Sequence, residues 1–319
     1  MVEETSREVR KDLSDKPPIP WSDEKQYKCG KILGFGRLGA VYECKNLTNP
    51  TEKLAIKIYC NKDMRRFVKE VSHINKLQDC PNVIKLFGIL EQCRLGGPCI
   101  ILDHFGNASY REFANNPTAE EIPIYMRQLM NAICACHEMK LMHRDIRPDT
   151  VLIDRNQRLL RLTDFGTSAF YVPGSLHSID HKDIYYEAPE LLLENAKYDF
   201  SIDMWAYGCL FAALVLRDSL LFYEVTVTDK LLRIIDFLGI EGLKEYADRR
   251  QLSLPPNIEK LAKMHPRISF ISLVKPENSE FVNLWAIDLI ERILKYDPVD
   301  RFTAQKALFH CYFQTKNKA

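Results

Sequence analysis

The chain has no dominant charge: 44 Lys and Arg side chains stand against 43 Asp and Glu, a net charge of +1 over 319 residues. That balance argues against the broad basic surface of a nucleic-acid binder and the polybasic stretches of a membrane-surface protein, so any preference for charged partners has to be local. Long apolar runs are also missing. The longest, Trp205 to Leu216, falls well short of the ~20 residues that cross a bilayer and reads as a buried helix. The first twenty residues mix Glu, Arg, Lys and Asp with no apolar core, so no secretory signal is expected. Ten cysteines are scattered from Cys29 to Cys311 without a single CxxC pair, which suits reduced thiols better than disulfides or a metal cage. The one cluster, Cys134-Ala-Cys136-His137, lies in an amphipathic helical run and reads as core packing. No internal repeat or low-complexity tract is evident.

What is present is enough apolar matter, 46% of the residues, to build two packed lobes around a cleft. Residues 1–26, ending in Lys-Pro-Pro-Ile-Pro-Trp21, are charged and proline-rich and predict an extended arm. Strand patterning follows at Cys29 to Leu33, Ala40 to Cys44, Leu54 to Tyr59 and Pro98 to Leu102. In the third of these the alternation sets Leu54, Ile56 and Ile58 on one face and Ala55, Lys57 and Tyr59 on the other. Met64, Phe67, Val71, Ile74 and Leu77 recur every three or four residues, the stripe of an amphipathic helix. Glu70 borders that stripe, a carboxylate edging into apolar surroundings needs a partner, and Lys57 is the natural one. The polar stretch Asp103 to Ser109 links to a second, mostly helical part beyond Ile122, in which residues 200–215 are apolar nearly all round.

Five short strings occur in one order over about 155 residues. They are Gly34-Phe-Gly36-Arg-Leu-Gly39-Ala-Val41, Ala55-Ile-Lys57, His143-Arg144-Asp145, Asp164-Phe165-Gly166 and Ala188-Pro189-Glu190. Glycines in a hairpin let backbone N–H groups approach dense negative charge because no Cβ intervenes. Alone this is weak, since dinucleotide folds use the same spacing and hairpins tolerate glycine, but here a strand follows rather than a helix. Asp145 is a carboxylate on a short loop between strands, where a proton-accepting or orienting group for a hydroxyl would sit. Asp164 comes 19 residues later, after strand-like Leu160 to Thr163. A turn aspartate before glycine is common in isolation, and in this register a magnesium ligand is the better reading.

Together the strings resemble those of eukaryotic protein kinases. The resemblance implies an α+β, two-lobed kinase fold with a small β-rich N-lobe over residues 27–103, a larger helical C-lobe over 104–314, an arm at 1–26 and a tail at 315–319. It also implies ATP and Mg2+ as cofactors. Leu33, Gly34, Gly36, Gly39, Val41, Ala55, Lys57 and Glu70 would then hold the nucleotide, Asp145 and Arg147 would serve catalysis, and Asp164 and Thr150 would bind metal. Arg147 takes the place of the family's catalytic-loop lysine, keeping charge but offering a planar fork. Glu190 with Arg301, and Asp203 beneath the catalytic loop, match structural positions.

Further strings, Leu160-Arg161-Leu162, Tyr198-Asp-Phe-Ser-Ile-Asp-Met-Trp205, Arg233-Ile-Ile-Asp-Phe-Leu-Gly239 and Tyr296-Asp-Pro-Val-Asp-Arg-Phe-Thr-Ala304, sharpen the likeness toward casein kinase II catalytic subunits. That likeness implies a serine/threonine kinase active without activation-loop phosphorylation, protein substrates acidic after the target residue, a dimeric regulatory beta subunit in a heterotetramer, and nuclear and cytoplasmic location, with no nucleic-acid or membrane partner. Three departures stand out. Thr150 occupies the place of a metal-binding asparagine and its oxygen is one bond nearer the backbone, with Asp149 as a substitute if it turns inward. Asp180, Ile184 and Glu187 occupy places where the family has basic residues, leaving Lys62, Arg65, Arg66 and Lys69 as the remaining basic run. Asp183 replaces a hydroxyl residue that helps define the acceptor. A pseudokinase, a nucleotide-binding or scaffold module without turnover, is the competing expectation.

Overall fold

The computed structural model describes residues 17–36, 39–59, 64–93, 96–105, 108–179 and 184–314. The first sixteen residues of the arm, Lys62, Asp180, Asp183 and the tail 315–319 lie outside the described residues.

Five strands form one antiparallel sheet: β1 (Tyr27–Gly36), β2 (Gly39–Asn46), β3 (Lys53–Tyr59), β4 (Leu86–Leu90) and β5 (Cys99–Asp103), in spatial order β1-β2-β3-β5-β4. The expected alternation along β3 is present. Leu54, Ile56 and Ile58 join a small cluster with Cys44, Leu90, Cys93, Cys99 and Ile101, while Tyr59 packs into the main core beside Phe67. Both faces of β3 are covered, so Lys57 is buried as well. Helix α1 (Met64–Lys76) covers the second face with Phe67, Val68, Val71 and Ile74. Burying a side chain of this size stabilises by about 1.5 to 3 kcal/mol, so four of them hold the helix firmly on the sheet.

The rest is mainly helical. A reciprocal cap between Ser109 and Glu112 starts α2 (Tyr110–Asn115), and α3 (Glu121–Glu138) runs behind the cleft. Short strands β6 (Ala108–Ser109), β7 (Leu141–Met142), β8 (Val151–Asp154), β9 (Leu159–Leu162) and β10 (Ala169–Phe170) frame the catalytic loop. Helix α4 (Pro189–Leu192) precedes α5 (Ser201–Val215), of which Trp205, Tyr207, Phe211 and Ala212 are wholly buried, as the all-round apolar pattern requires. Cys134 and Cys136 are buried in α3, while His137 bonds to Asp203 at 3.0 Å, so this cluster packs the core and supports a loop. No helix among the described residues is long and apolar enough to cross a membrane.

The sheet and the helical part meet along β9. The N–H of Ile84 donates to Leu162 O (3.0 Å), the N–H of Leu162 to Asn82 O (2.8 Å), and the Asn82 amide to Leu160 O and Gln128 (both 3.0 Å). This ladder fixes where the upper layer sits over the residues leading into Asp164. Lower down, Arg301 grips Glu190 through two bonds of 2.8 and 3.0 Å, with both side chains fully buried. The remaining guanidinium protons go to the carbonyls of Ser201, Lys295 and Tyr296, so nothing is left unsatisfied at this charge pair. Removing one partner of such a pair strands the other. Arg301→Met is therefore expected to destabilise the chain by about 3 to 5 kcal/mol in urea unfolding, and adding Glu190→Gln should recover part of that loss.

Candidate active site

The loop His143-Arg144-Asp145 leaves β7 in an unusual backbone state. Arg144 has φ 64°, a left-handed conformation disfavoured for a residue with a Cβ, and such strain persists only where the surroundings over-determine it. They do so here. Asp203, buried at the start of α5, accepts the N–H groups of His143 and Arg144 at 2.8 Å each. Burial opposes its charge, but His137, His143 and those amides outweigh it and hold its carboxyl below the usual carboxylate range. Arg144 donates to Thr167 O and to the Tyr198 hydroxyl (both 2.8 Å), and Tyr198 in turn donates to Ser178 O at 2.7 Å.

His143 reaches forward to the next motif. Its Nε2 lies 3.1 Å from Thr163 O, and because a carbonyl only accepts, this nitrogen carries the proton. Burial holds the imidazole below its ordinary range, against the pull of Asp203, Asp145 and Asp164, and the ring packs edge-on against Phe165 at 4.8 Å. One side chain thereby couples Asp145 to Asp164.

Asp145 sits 3.2 Å from Arg147 Nε, and the same guanidinium reaches Asp149 at 2.6 Å. Asp149 also receives Arg111 at 3.0 and 3.3 Å, and Arg111 is the main reason its carboxyl lies below the usual range. It faces outward and does not take up the inward position that would let it replace a missing metal ligand. Thr150 differs from its expected use too. Its buried hydroxyl shares its proton between the carbonyls of Asp145 (2.8 Å) and Arg147 (3.0 Å) and accepts the N–H of Arg147 at 3.1 Å. These bonds close the loop on itself, so the oxygen expected as a metal ligand is engaged in holding the backbone that carries Asp145.

Above the loop, Lys57 Nζ lies 2.9 and 2.8 Å from the two carboxylate oxygens of Glu70 and 2.9 Å from Asp164. Burial works against the ammonium, yet the two carboxylates outweigh it and hold Lys57 above the ordinary lysine range. For Asp164 the order is similar: burial raises, but Lys57 first, then His143 and Arg147, draw the carboxyl below its usual range. Burial pushes Glu70 upward, and the Tyr59 hydroxyl donates to the same carboxylate. Asp164 itself is left-handed (φ 66°), which turns its side chain toward Lys57. Lys57 and Asp164 are thus in direct contact, and Arg147, the partner of Asp145, is near enough to draw on the Asp164 carboxyl.

The three glycines of the hairpin are not equivalent. A Cβ on Gly39 would stand 1.8 Å from Ile58 O, so this glycine is required by the neighbouring strand. Around Gly34 no atom lies within 4 Å of the same position, so a methyl group there would meet open space. Gly34 pairs with Val41 and Gly36 with Gly39, while Val41 opposes Lys57 and Ala55 opposes Leu102. Leu33 is exposed beside them and Ala55 is buried, so the register brings the expected nucleotide-side residues to one end of the sheet.

Several contributors carried no local signal. Tyr59 completes the Glu70 carboxylate, Tyr198 engages Arg144 from 54 positions away, and His73 ties α1 to the segment after Asp164 through Ser168 at 2.6 Å. Ser168 donates to Phe165 O, so His73 Nδ1 is the donor in that contact. Tyr198 opens one of the strings quoted above but nothing in that string points to Arg144, and only long-range placement reveals the three contacts.

The glycine difference is testable. Gly39→Ala is expected to lower the melting temperature by several degrees, since overpacking costs about 1 to 3 kcal/mol. Gly34→Ala should leave it unchanged while weakening nucleotide binding measured by fluorescence titration.

With that geometry in place, comparison with known families adds its identity. The model for the protein kinase domain matches residues 27–313, from the first strand of the sheet to the last helical turns. With its five-stranded sheet set above a mainly helical body, the chain belongs to the protein kinase domain family.

Proposed function

We propose that the chain is an active protein kinase that passes the γ-phosphoryl group of ATP to serine or threonine hydroxyls of protein substrates, and that its place in the family is beside the casein kinase II catalytic subunits. The observation that carries catalysis is the grip on Lys57: a buried ammonium held within 2.9 Å of both Glu70 and Asp164. In protein kinases the Lys–Glu pair and the aspartate of the metal motif must both be in place before transfer proceeds.

Lys57 would meet the phosphates from below the sheet, and Gly34 leaves backbone room for them above. Asp164 is a hard oxygen donor with its carboxylate ionised, which suits Mg2+; when bound, the ion neutralises phosphate charge. Asp145, held by the loop bonds of Thr150 and by Asp203 through the neighbouring amides, would orient the acceptor hydroxyl and accept its proton. Arg147, 3.2 Å from Asp145, would offer positive charge to the migrating group.

Activity without activation-loop phosphorylation is supported by Arg144. Its guanidinium is engaged by Thr167 O and Tyr198, so its bonds do not await a phosphate. A regulatory beta subunit and nuclear and cytoplasmic location follow from the resemblance alone and belong to this proposal. A pseudokinase is the second reading, and the observation favouring it is Thr150, whose hydroxyl is bonded into its own loop.

Two measurements separate these readings. With Mg-ATP and a mixed peptide library, phosphate should appear on serine and threonine, and Asp145→Asn should cut the rate by about 10²- to 10⁴-fold; equal background in both proteins would support the scaffold. Thr150→Asn places an oxygen one bond further out and is expected to raise turnover, by up to about 10²-fold for one well-placed electrostatic contact. A lower rate would mean that the loop bonds of Thr150 outweigh an added ligand.

A further inference from the structure

Tyr59 is the second residue after Lys57 on β3, so the two side chains leave the same face of the strand. Its ring is held from two directions. Phe67 of α1 meets it edge-on at 5.5 Å, and the Lys57 ammonium lies over it at 5.4 Å from the ring centre. The ring is almost wholly buried, and its hydroxyl donates to Oε2 of Glu70.

The protons of Lys57 are fully committed. An ammonium has three of them and accepts nothing. Two go to the Glu70 oxygens, at 2.9 and 2.8 Å, and the third to Asp164 at 2.9 Å. The lysine of the kinase β3 motif meets the α- and β-phosphates and the helix glutamate together, so a bound nucleotide draws two protons of Lys57 away from these carboxylates. Asp164 frees one when it takes up its proposed metal role. The other has to come from Glu70.

Giving up that bond would leave one oxygen of a fully buried carboxylate bare, and a buried acceptor without a partner bears its whole desolvation cost, larger still when the group is charged. Tyr59 removes this obstacle. The oxygen it reaches, Oε2, is one of the two that Lys57 holds. With the hydroxyl in place Lys57 can leave Oε2 and keep Oε1, and neither oxygen is stranded. Among the described residues, Lys57 and Tyr59 supply all the donors that Glu70 meets, so no other side chain there takes over this duty.

We propose that Tyr59 is a positioning residue for the nucleotide: its hydroxyl answers Oε2 of Glu70 and so releases Lys57 to the phosphates. The inference rests on the kinase reading above and deepens it by adding to the site a residue that lies outside the short motifs. The hydroxyl keeps its own proton throughout, and only hydrogen bonds are exchanged. Phenylalanine at this position would keep the contact with Phe67 and the ring under the ammonium, and would take away the release alone.

The test uses the full chain and its Tyr59→Phe variant, each titrated by calorimetry with Mg-ATP and with adenosine, which has no phosphates for Lys57 to meet. Neither titration needs turnover. Mg-ATP is expected to bind about tenfold more weakly to the variant, and adenosine equally well to both proteins. Melting temperatures report folding. Weakening of both ligands alike would mark a loss of shape and overturns the proposal. Mg-ATP binding that is unchanged or tighter overturns it too, as does a variant that no longer folds, because the hydroxyl would then be structural. The kinase reading fails on a different result: no phosphate passed from Mg-ATP to serine or threonine peptides by the unaltered chain, whatever the titrations give.

Discussion

A cation with almost no access to water has to be answered by anions, and at Lys57 this requirement organises the upper half of the molecule. Desolvating an ammonium costs several kcal/mol even after relaxation. Glu70 and Asp164 offset that cost only if α1 lies deep against the sheet and the loop after β9 turns left-handed at Asp164. Three segments distant in sequence are thus held to one geometry by one charge. The same contact makes the site a single unit, because displacing any of the three groups leaves an uncompensated buried charge.

The supports around this contact reach to both ends of the cleft. Trp21, at the end of the described arm, stacks on Phe67 at 5.6 Å; Phe67 meets Tyr59 edge-on at 5.5 Å; and Tyr59 donates to Glu70. The N–H of Ser22 adds a bond to Ile89 O at 2.8 Å, pinning the arm to the sheet. At the far end of α1, His73 holds Ser168 and packs against Phe170. Helix α1 is therefore fastened at its first turn by aromatic stacking and at its last by a hydrogen bond, with Glu70 between. Its position is built into the packing.

Much of this was legible from periodicity. The alternation along β3 separated Lys57 from the aliphatic face, and helical spacing set Glu70 at the edge of a buried stripe, so their pairing followed from the cost of burying either alone. The all-round apolar run at 200–215 likewise read as central. Strand β4 did not announce itself: Leu86–Leu90 is a short mixed run containing Gly88, and its strand character comes from pairing with β5. Residue identity also failed to separate Gly34 from Gly39, since a motif records the missing Cβ but not which neighbour forbids it. The direction of the Thr150 hydroxyl is hidden in the sequence for a related reason. Composition shows that a hydroxyl stands near the metal motif, whereas its direction depends on carbonyls three and five residues away folding back on it.

That direction bears on how the catalytic loop is balanced. With a hydroxyl closing the turn and Asp149 drawn outward by Arg111, the loop invests its polar groups in its own shape. Asp145 consequently sits on a backbone fixed from within by Thr150, from below by Asp203 and from the side by Arg147. Rigid placement of the group proposed to orient an acceptor would contribute to rate through proximity, because a displacement of ~1 Å can cost about 10²-fold. A missing metal ligand costs a comparable factor. Under the proposed function the two effects are of similar size and opposite sign, so a loop that gives up one ligand while tightening its hold on Asp145 remains compatible with turnover.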